Sequence, residues 1–146
     1  MFLPMKHVFF LALLIAFWDA SPVVIGRSTV TVRLTNLLKN NFPFKIHCQS
    51  GDDDLDIHMV PNHGQYSFHF KPDIFNTTLF FCDIKWDDLV ELQFDVYRAK
   101  RDRKRCPTEC LWEVKYEGVY GLNQVTREFD IIEKWPALPP QNSPLI

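Results

Sequence analysis

Apolar and polar residues alternate along much of this chain, and this two-residue period limits the folds it can form. Six runs place an apolar residue at every second position: 30–34, 44–48, 66–70, 80–86, 92–96 and 110–116. Successive side chains of a β-strand point to opposite faces of a sheet, so each run predicts a strand with one buried face. A further strand is expected within 129–135, and no segment beyond the N-terminal region shows a convincing helical period.

Turn-forming residues separate these runs. The segments NNFP at 40–43, PNHG at 61–64 and KPD at 71–73 interrupt the alternation. Short strands with frequent turns predict an all-β fold, a small antiparallel β-sandwich. Trp86 and Trp112 have the inward parity of their strands and are expected in the core, whereas His47 and His69 have the outward parity.

Length and composition are those of one small globular domain. The chain has 146 residues, of which 47% are hydrophobic, so it can build a core and is not broadly disordered. Its formal net charge is −2, which argues against a nucleic-acid partner because such proteins are usually strongly basic.

The N-terminus has the features of a secretory signal peptide. Lys6 and His7 precede VFFLALLIAF, an apolar run too short to span a bilayer. We expect a signal peptide over 1–20, with cleavage as late as residue 26, then a domain over 27–135 and a flexible proline-rich tail over 136–146. No second long apolar run follows, so the mature chain is expected to be extracellular and not inserted in the membrane.

Four cysteines behind a signal peptide predict two disulfides, and three pairings are possible. Cys48, Cys82 and Cys110 share the inward parity of their strands, which would permit a bridge between the two sheets. This reasoning favours the pairs Cys48–Cys110 and Cys82–Cys106. The sequence Asn76-Thr77-Thr78 is an N-glycosylation sequon and marks Asn76 as a glycosylation site of a secreted chain.

The stretch CQSGDDDLDIH at 48–58 concentrates acidic residues: Asp52, Asp53, Asp54 and Asp56. A calcium loop of the EF-hand type fails, because glycine at its sixth position and glutamate at its twelfth are replaced by Ile57 and His63. A looser calcium site stays open. The simplest interpretation is a polar turn between two strands, and a rigid turn of this kind is also a suitable place for a partner to bind.

No combination of residues predicts catalysis. The sequence has no nucleophile elbow, phosphate-binding loop, dinucleotide fingerprint or zinc-binding motif, and cysteines held in disulfides cannot act as nucleophiles. We therefore expect neither an enzyme nor a bound metal or cofactor.

A basic segment, RAKRDRKR at 98–105, carries six cations and one aspartate. It is either a solvated loop between strands or a surface that meets an acidic receptor loop or anionic polymers. Its candidate contact residues are Arg101, Arg103, Lys104 and Arg105. The candidate contact loops of the whole chain are 51–56, 62–65, 87–91 and 99–105.

Several motifs occur in a familiar order. Residues 46–55 read IHCQSGDDDL, 78–82 read TLFFC with Trp86 following, and 94–102 read FDVYRAKRD. Cys106, then CLW at 110–112, Gly118 and Tyr120 complete the series. Together they resemble the plant self-incompatibility protein family, the S-protein homologues. In that family glycine often follows DDDL, where this chain has Asp56, and a backbone that needs a positive φ there would be strained or rebuilt.

The resemblance implies a small secreted plant protein with a β-sandwich fold and two disulfides. It also implies a ligand that binds a plasma-membrane receptor on pollen or another plant cell, as the stigma-secreted members of poppy do. We expect a monomer whose rigid loops take part in cell–cell recognition. The alternative is a secreted defence module that binds carbohydrate or calcium.

Overall fold

The computed structural model describes residues 28–138. Nine strands and one short helix occupy this part of the chain. Their bounds are β1 (Val30–Leu37), β2 (Phe44–Gln49), β3 (Asp54–Val60), β4 (Gln65–Phe70), β5 (Leu79–Trp86), β6 (Val90–Arg98), α1 (Ala99–Asp102), β7 (Glu109–Lys115), β8 (Gly118–Leu122) and β9 (Phe129–Glu133).

The strands form two sheets that pack as a sandwich. One sheet has the order β4-β1-β7-β8-β9 and the other β3-β2-β5-β6. All neighbours pair antiparallel except β1 and β7, which pair in parallel with Val32 opposite Cys110. The predicted all-β sandwich is thus confirmed, with one parallel pair that alternation alone does not reveal.

The core consists of the inward positions of the alternating strands. Val32, Leu34, Ile46, Ile84 and Trp112 are almost fully buried. The indole Nε1 of Trp112 on β7 donates to the carbonyl oxygen of Val96 on β6 at 3.1 Å, and this bond joins the two sheets. Trp86 is also buried, so the prediction that both tryptophans fill the core is confirmed.

Two strands, β3 and β8, lie outside the six alternating runs identified from the sequence. β3 is an edge strand on which residues 56–59 are all exposed, including Ile57 and Met59. β8 has the sequence GVYGL, and Gly121 leaves space for the Trp112 ring, since a Cβ there would lie 2.8 Å from it. In β3 the apolar residues Leu55, Ile57 and Met59 do alternate with polar ones, but the neighbouring aspartates favour a turn and Ile57 and Met59 are exposed. In β8 the glycines interrupt the hydrophobic pattern.

The predicted disulfide pairing is wrong. The bonds join Cys48 to Cys82 and Cys106 to Cys110. Cys48 and Cys82 are direct cross-strand partners on β2 and β5, with Cα atoms 4.1 Å apart, so the bridge lies within one sheet. Inward parity identifies residues that face the core, but it does not identify which strands are neighbours.

Some predictions fall outside the described residues. These are the signal peptide over 1–20, its cleavage by residue 26, and the part of the proline-rich tail over 139–146. Among residues 28–138, no helix has the length and apolar character needed to cross a bilayer.

Candidate functional site

The four candidate contact loops lie at opposite ends of the sandwich. At one end, 51–56 follows β2 and 99–105 follows β6. At the other end, 62–65 and 87–91 lie near the start of β2, where Phe42 packs 5.5 Å from Trp86 between ring centroids. They therefore form two separate surfaces rather than one.

Ser50 organises the acidic turn, residues 50–53. Its hydroxyl accepts hydrogen bonds from the backbone N–H of Asp52 at 3.3 Å and of Asp53 at 3.0 Å. The Ser50 N–H in turn donates to the carbonyl oxygen of Asp53 at 2.8 Å. These bonds use backbone groups of the aspartates, so the exposed carboxylates of Asp52 and Asp53 are left on the surface.

Asp54 links the acidic turn to its neighbouring strand. His47 Nε2 lies 2.6 Å from Asp54 Oδ1, which also accepts the Asp56 N–H at 2.9 Å. The bond with His47 and then that with Asp56 lower the pKa of the Asp54 carboxyl. Asp56 has a φ of 62°, so the position where the family often has glycine does adopt the left-handed conformation.

A groove runs beside the acidic turn. We call it the acidic groove. It has a volume of about 500 Å³, and its walls are Ser50, Gly51, Asp52, Asp53, Phe70, Lys71, Asp73, Thr77, Thr78, Leu79, Phe80 and Phe81. Within residues 28–138, no ion pair neutralises Asp52 or Asp53. The groove thus places two carboxylates that have no ion-pair partner among the described residues, together with Lys71, beside an apolar wall.

The opposite wall of the groove is the sequon loop, residues 71–78, and Asp73 holds it in place. The Asp73 carboxylate accepts the backbone N–H groups of Thr77 at 2.9 Å and Thr78 at 3.1 Å, and it also bonds both threonine hydroxyls. The Thr77 hydroxyl bond, with these further bonds, lowers the pKa of Asp73 to about 2. The loop is therefore ordered by a carboxylate that stays ionised across most of the pH range.

The basic segment is not a uniformly solvated loop. It forms α1 and the turn after it, and Asp102 within it is fully buried. Arg101 binds Asp102 through two nitrogens, at 2.9 and 2.8 Å, and Arg105 Nη1 donates to Asp102 Oδ1 at 3.2 Å. Arg101 and Arg105, which the sequence offers as contact residues, thus both balance a buried carboxylate within the fold.

Arg105 also reaches the far edge of the sheet. Its Nε donates to Asp130 Oδ1 on β9 at 2.6 Å, while Asn123 donates to Asp130 Oδ2 at 3.0 Å. Burial acts to raise the pKa of Asp130, but the bonds from Asn123 and Arg105 outweigh it and the pKa is lowered. We call Arg101, Asp102, Arg105 and Asp130 the Arg–Asp network. The lone aspartate among six cations was the only sequence signal for it.

Arg103 and Lys104 are exposed. Arg103 donates to the backbone carbonyl of Asp73. Since Asp73 also lines the acidic groove, the exposed cations and the acidic turn lie at the same end of the sandwich, on either side of the sequon loop.

The described residues bring together no set of groups typical of a metal centre. Within 28–138, no three His, Cys, Asp or Glu side chains are close enough to hold a metal ion. His47, of outward parity as predicted, is partly exposed and bound to Asp54. The arrangement is suited to binding by charge and apolar contact.

These features define a class of protein: a disulfide-linked sandwich of two β-sheets with charged connections at its ends. More specifically, the chain belongs to the plant self-incompatibility protein S1 family, whose family model matches residues 31–135. The resemblance carried by the sequence motifs is therefore confirmed.

Relatives from two plants share much of the chain. S-protein homolog 5 of Arabidopsis thaliana is 43% identical over 103 residues, which cover 70% of this chain and 77% of the relative. Self-incompatibility protein S1 of Papaver rhoeas is 41% identical over 96 residues, covering 65% and 69%.

A solved structure has the same fold. It is described as one of the self-incompatibility protein homologues, a widespread family of small, highly stable, secreted proteins from plants. It matches with a TM-score of 0.62 at 17% identity, over 78% of this chain and 100% of the other.

Proposed function

We propose that this protein is a secreted plant ligand that binds a receptor protein on the surface of pollen or another plant cell. Membership of the self-incompatibility family and a signal-peptide-like N-terminus support this function. The mechanism is binding without catalysis. The ligand is a monomer, and its ordered loops lower the entropic cost of docking.

The acidic groove is the observation that carries the proposal. The Asp52 and Asp53 carboxylates have no ion-pair partner among the described residues, and Leu79 and Phe81 supply an apolar wall beside them. A lysine or arginine side chain fits this combination, because its aliphatic stem packs on apolar surface while its cationic head stays beside the carboxylates. The partner is therefore a basic, extended segment of the receptor.

Neighbouring residues extend the contact. Asp54 and Asp56 continue the negative surface along β3, and Arg103 and Lys104 offer exposed cations across the sequon loop. Opposite charges on one end of the sandwich would fix the orientation of the partner. Arg101 and Arg105 act indirectly, through the Arg–Asp network that holds α1.

The test is binding to plant cells with matched charge reversals. Labelled wild-type protein should bind pollen or vegetative cells saturably, and higher salt should weaken the binding. The double variant Asp52→Lys/Asp53→Lys should bind at least about tenfold more weakly. The proposal leaves the 87–91 loop, at the other end, outside the contact, so the variant Asp88→Lys/Glu91→Lys, which reverses two exposed charges there, should bind like wild type.

Equal binding by both folded variants would exclude the acidic groove. The alternative function, a carbohydrate- or calcium-binding defence module, predicts affinity for a cell-wall glycan array or for calcium in calorimetry without a protein receptor. Protease treatment of the cells separates these functions, because it removes receptor-dependent binding and leaves glycan binding.

A further inference from the structure

The tip of the sequon loop exposes large apolar side chains. Phe75 is 76% exposed and Ile74 is 61% exposed, and they are consecutive. Ile74 also borders an apolar cavity of about 400 Å³ whose walls include Val30, Pro72 and Pro107. Together Ile74 and Phe75 form a contiguous exposed apolar patch, the kind of surface that serves for contact with another group.

The loop presents these side chains in a fixed arrangement. Asp73 binds Thr77 and Thr78 at the C-terminal end of the loop, and Arg103 binds the Asp73 carbonyl from α1. Asn76 follows Phe75 directly, is exposed, and has a φ of 59°. The left-handed turn at Asn76 thus places the sequon amide at the tip, next to the aromatic ring in sequence.

We infer that an N-linked glycan on Asn76 covers this tip, with its first sugar packed against the Phe75 ring. One face of a pyranose ring carries only C–H groups, and the negative face of an aromatic ring attracts such groups. Because the sugar is covalently attached to the next residue, the contact is intramolecular and is favoured by a high effective concentration. The glycan thereby turns an exposed apolar tip into a hydrated surface.

Hydrogen bonds within the sequon loop indicate that the glycan is attached before the loop folds. The Thr78 hydroxyl accepts the Asp73 N–H at 2.8 Å and lies 3.1 Å from Asp73 Oδ1, so the folded loop engages the hydroxyl of the sequon. The glycan is therefore attached before the loop closes, while the chain enters the secretory pathway. The inference rests on secretion, which the proposed function includes.

The experiment compares one sequence with and without its glycan. The full chain is expressed in plant cells, and the exported product is trimmed to its first sugar with an endoglycosidase. The same mature sequence is refolded from bacteria as the glycan-free form, which avoids any substitution at Asn76.

The glycan should raise the thermal midpoint by roughly 2–4 °C. In Phe75→Ala this increase should largely vanish, whereas in Leu89→Ala, which alters a residue of similar exposure at the opposite end, it should persist.

Nuclear magnetic resonance gives a second readout. The sugar protons should shift upfield in wild-type protein and lose this shift in Phe75→Ala. A glycan effect of equal size in both backgrounds would overturn the inference, as would binding to cells that needs Phe75 but not the glycan. Export without a glycan on Asn76 would refute this inference alone, whereas absence of export would also refute the proposed secretion.

Discussion

At Asp56 the backbone takes a left-handed φ of 62°, and the residue that follows the DDDL motif is therefore under local strain. Asp tolerates this region better than most residues, and the Asp54 carboxylate compensates by accepting the Asp56 N–H. Asp56 thus adopts a conformation that glycine would adopt without strain. Asp56 therefore has a steric strain at positive φ that glycine, frequent at this position in the family, would not have.

Substitutions at Asp56 should separate backbone strain from side-chain effects. Asp56→Gly should leave stability unchanged or raise it by up to about 1 kcal/mol, since glycine adopts a positive φ without a steric penalty. Asp56→Ala should lower it by about 1 kcal/mol. Urea unfolding gives both values. An alanine variant as stable as the glycine variant would show that the positive φ at this position does not lower the stability of the fold.

Asp73 is the residue whose ionisation orders the sequon loop. Its folded pKa of about 2 lies below the ordinary value, so its stabilising contribution is complete above pH ~4 and is lost as pH falls toward 2. The stability difference between wild type and Asp73→Asn should therefore be constant near neutral pH and shrink between about pH 4 and 2. A carboxyl titration of Asp73 by nuclear magnetic resonance with its midpoint near 4 would contradict this.

At the scale of elements, the strands divide into those that alternation predicts and those that it does not. β1, β2, β5 and β7 each bury every second residue, so the sequence located them. β3 is held mainly by backbone pairing with β2, with a bulge between His47 and Gln49. Its apolar residues alternate, but Ile57 and Met59 on this edge strand are exposed, and the aspartates beside them favour a turn. The parallel contact of β1 with β7 depends on topology, which local periodicity does not contain.

The candidate site was predictable only in part, for a related reason. The acidic turn is contiguous in the sequence and therefore predictable, but the groove beside it also needs Lys71 from the β4–β5 connection and Leu79 and Phe81 from β5. For the basic segment, composition predicts a charged surface, because it counts the charges and does not show their partners. Asp130, which binds Arg105, lies 25 residues further along the chain.

The Arg–Asp network fixes α1, and neighbouring cations should therefore differ sharply in their effect on stability. Arg105→Ala removes a partner of the buried Asp102 carboxylate and should destabilise the fold by about 3 kcal/mol. Lys104→Ala removes an exposed cation and should change stability by less than about 0.5 kcal/mol. Chemical denaturation measures both changes in stability. If Arg105→Ala were as stable as Lys104→Ala, the Arg105 side chain would not be needed to balance Asp102.

At the scale of the whole molecule, the sheets stabilise the folded state, whereas the disulfides act mainly on the unfolded state. The sandwich buries the core of the folded chain, whereas each disulfide mainly restricts the unfolded chain. The bond Cys48–Cys82 spans 34 residues and Cys106–Cys110 spans 4. The first bond links the neighbouring strands β2 and β5, while the second closes the turn that leads into β7.

This difference in span predicts unequal contributions to global stability. Because loop-closure entropy grows with the logarithm of loop length, loss of Cys48–Cys82 should cost about 2 kcal/mol more than loss of Cys106–Cys110. The comparison uses Cys48→Ala/Cys82→Ala against Cys106→Ala/Cys110→Ala. Each variant loses two buried sulfur atoms, so the changes in packing are similar. Guanidinium unfolding of both variants gives the difference. Equal losses would mean that restriction of the unfolded chain is not what distinguishes the two bonds, and that packing around each bridge decides its contribution.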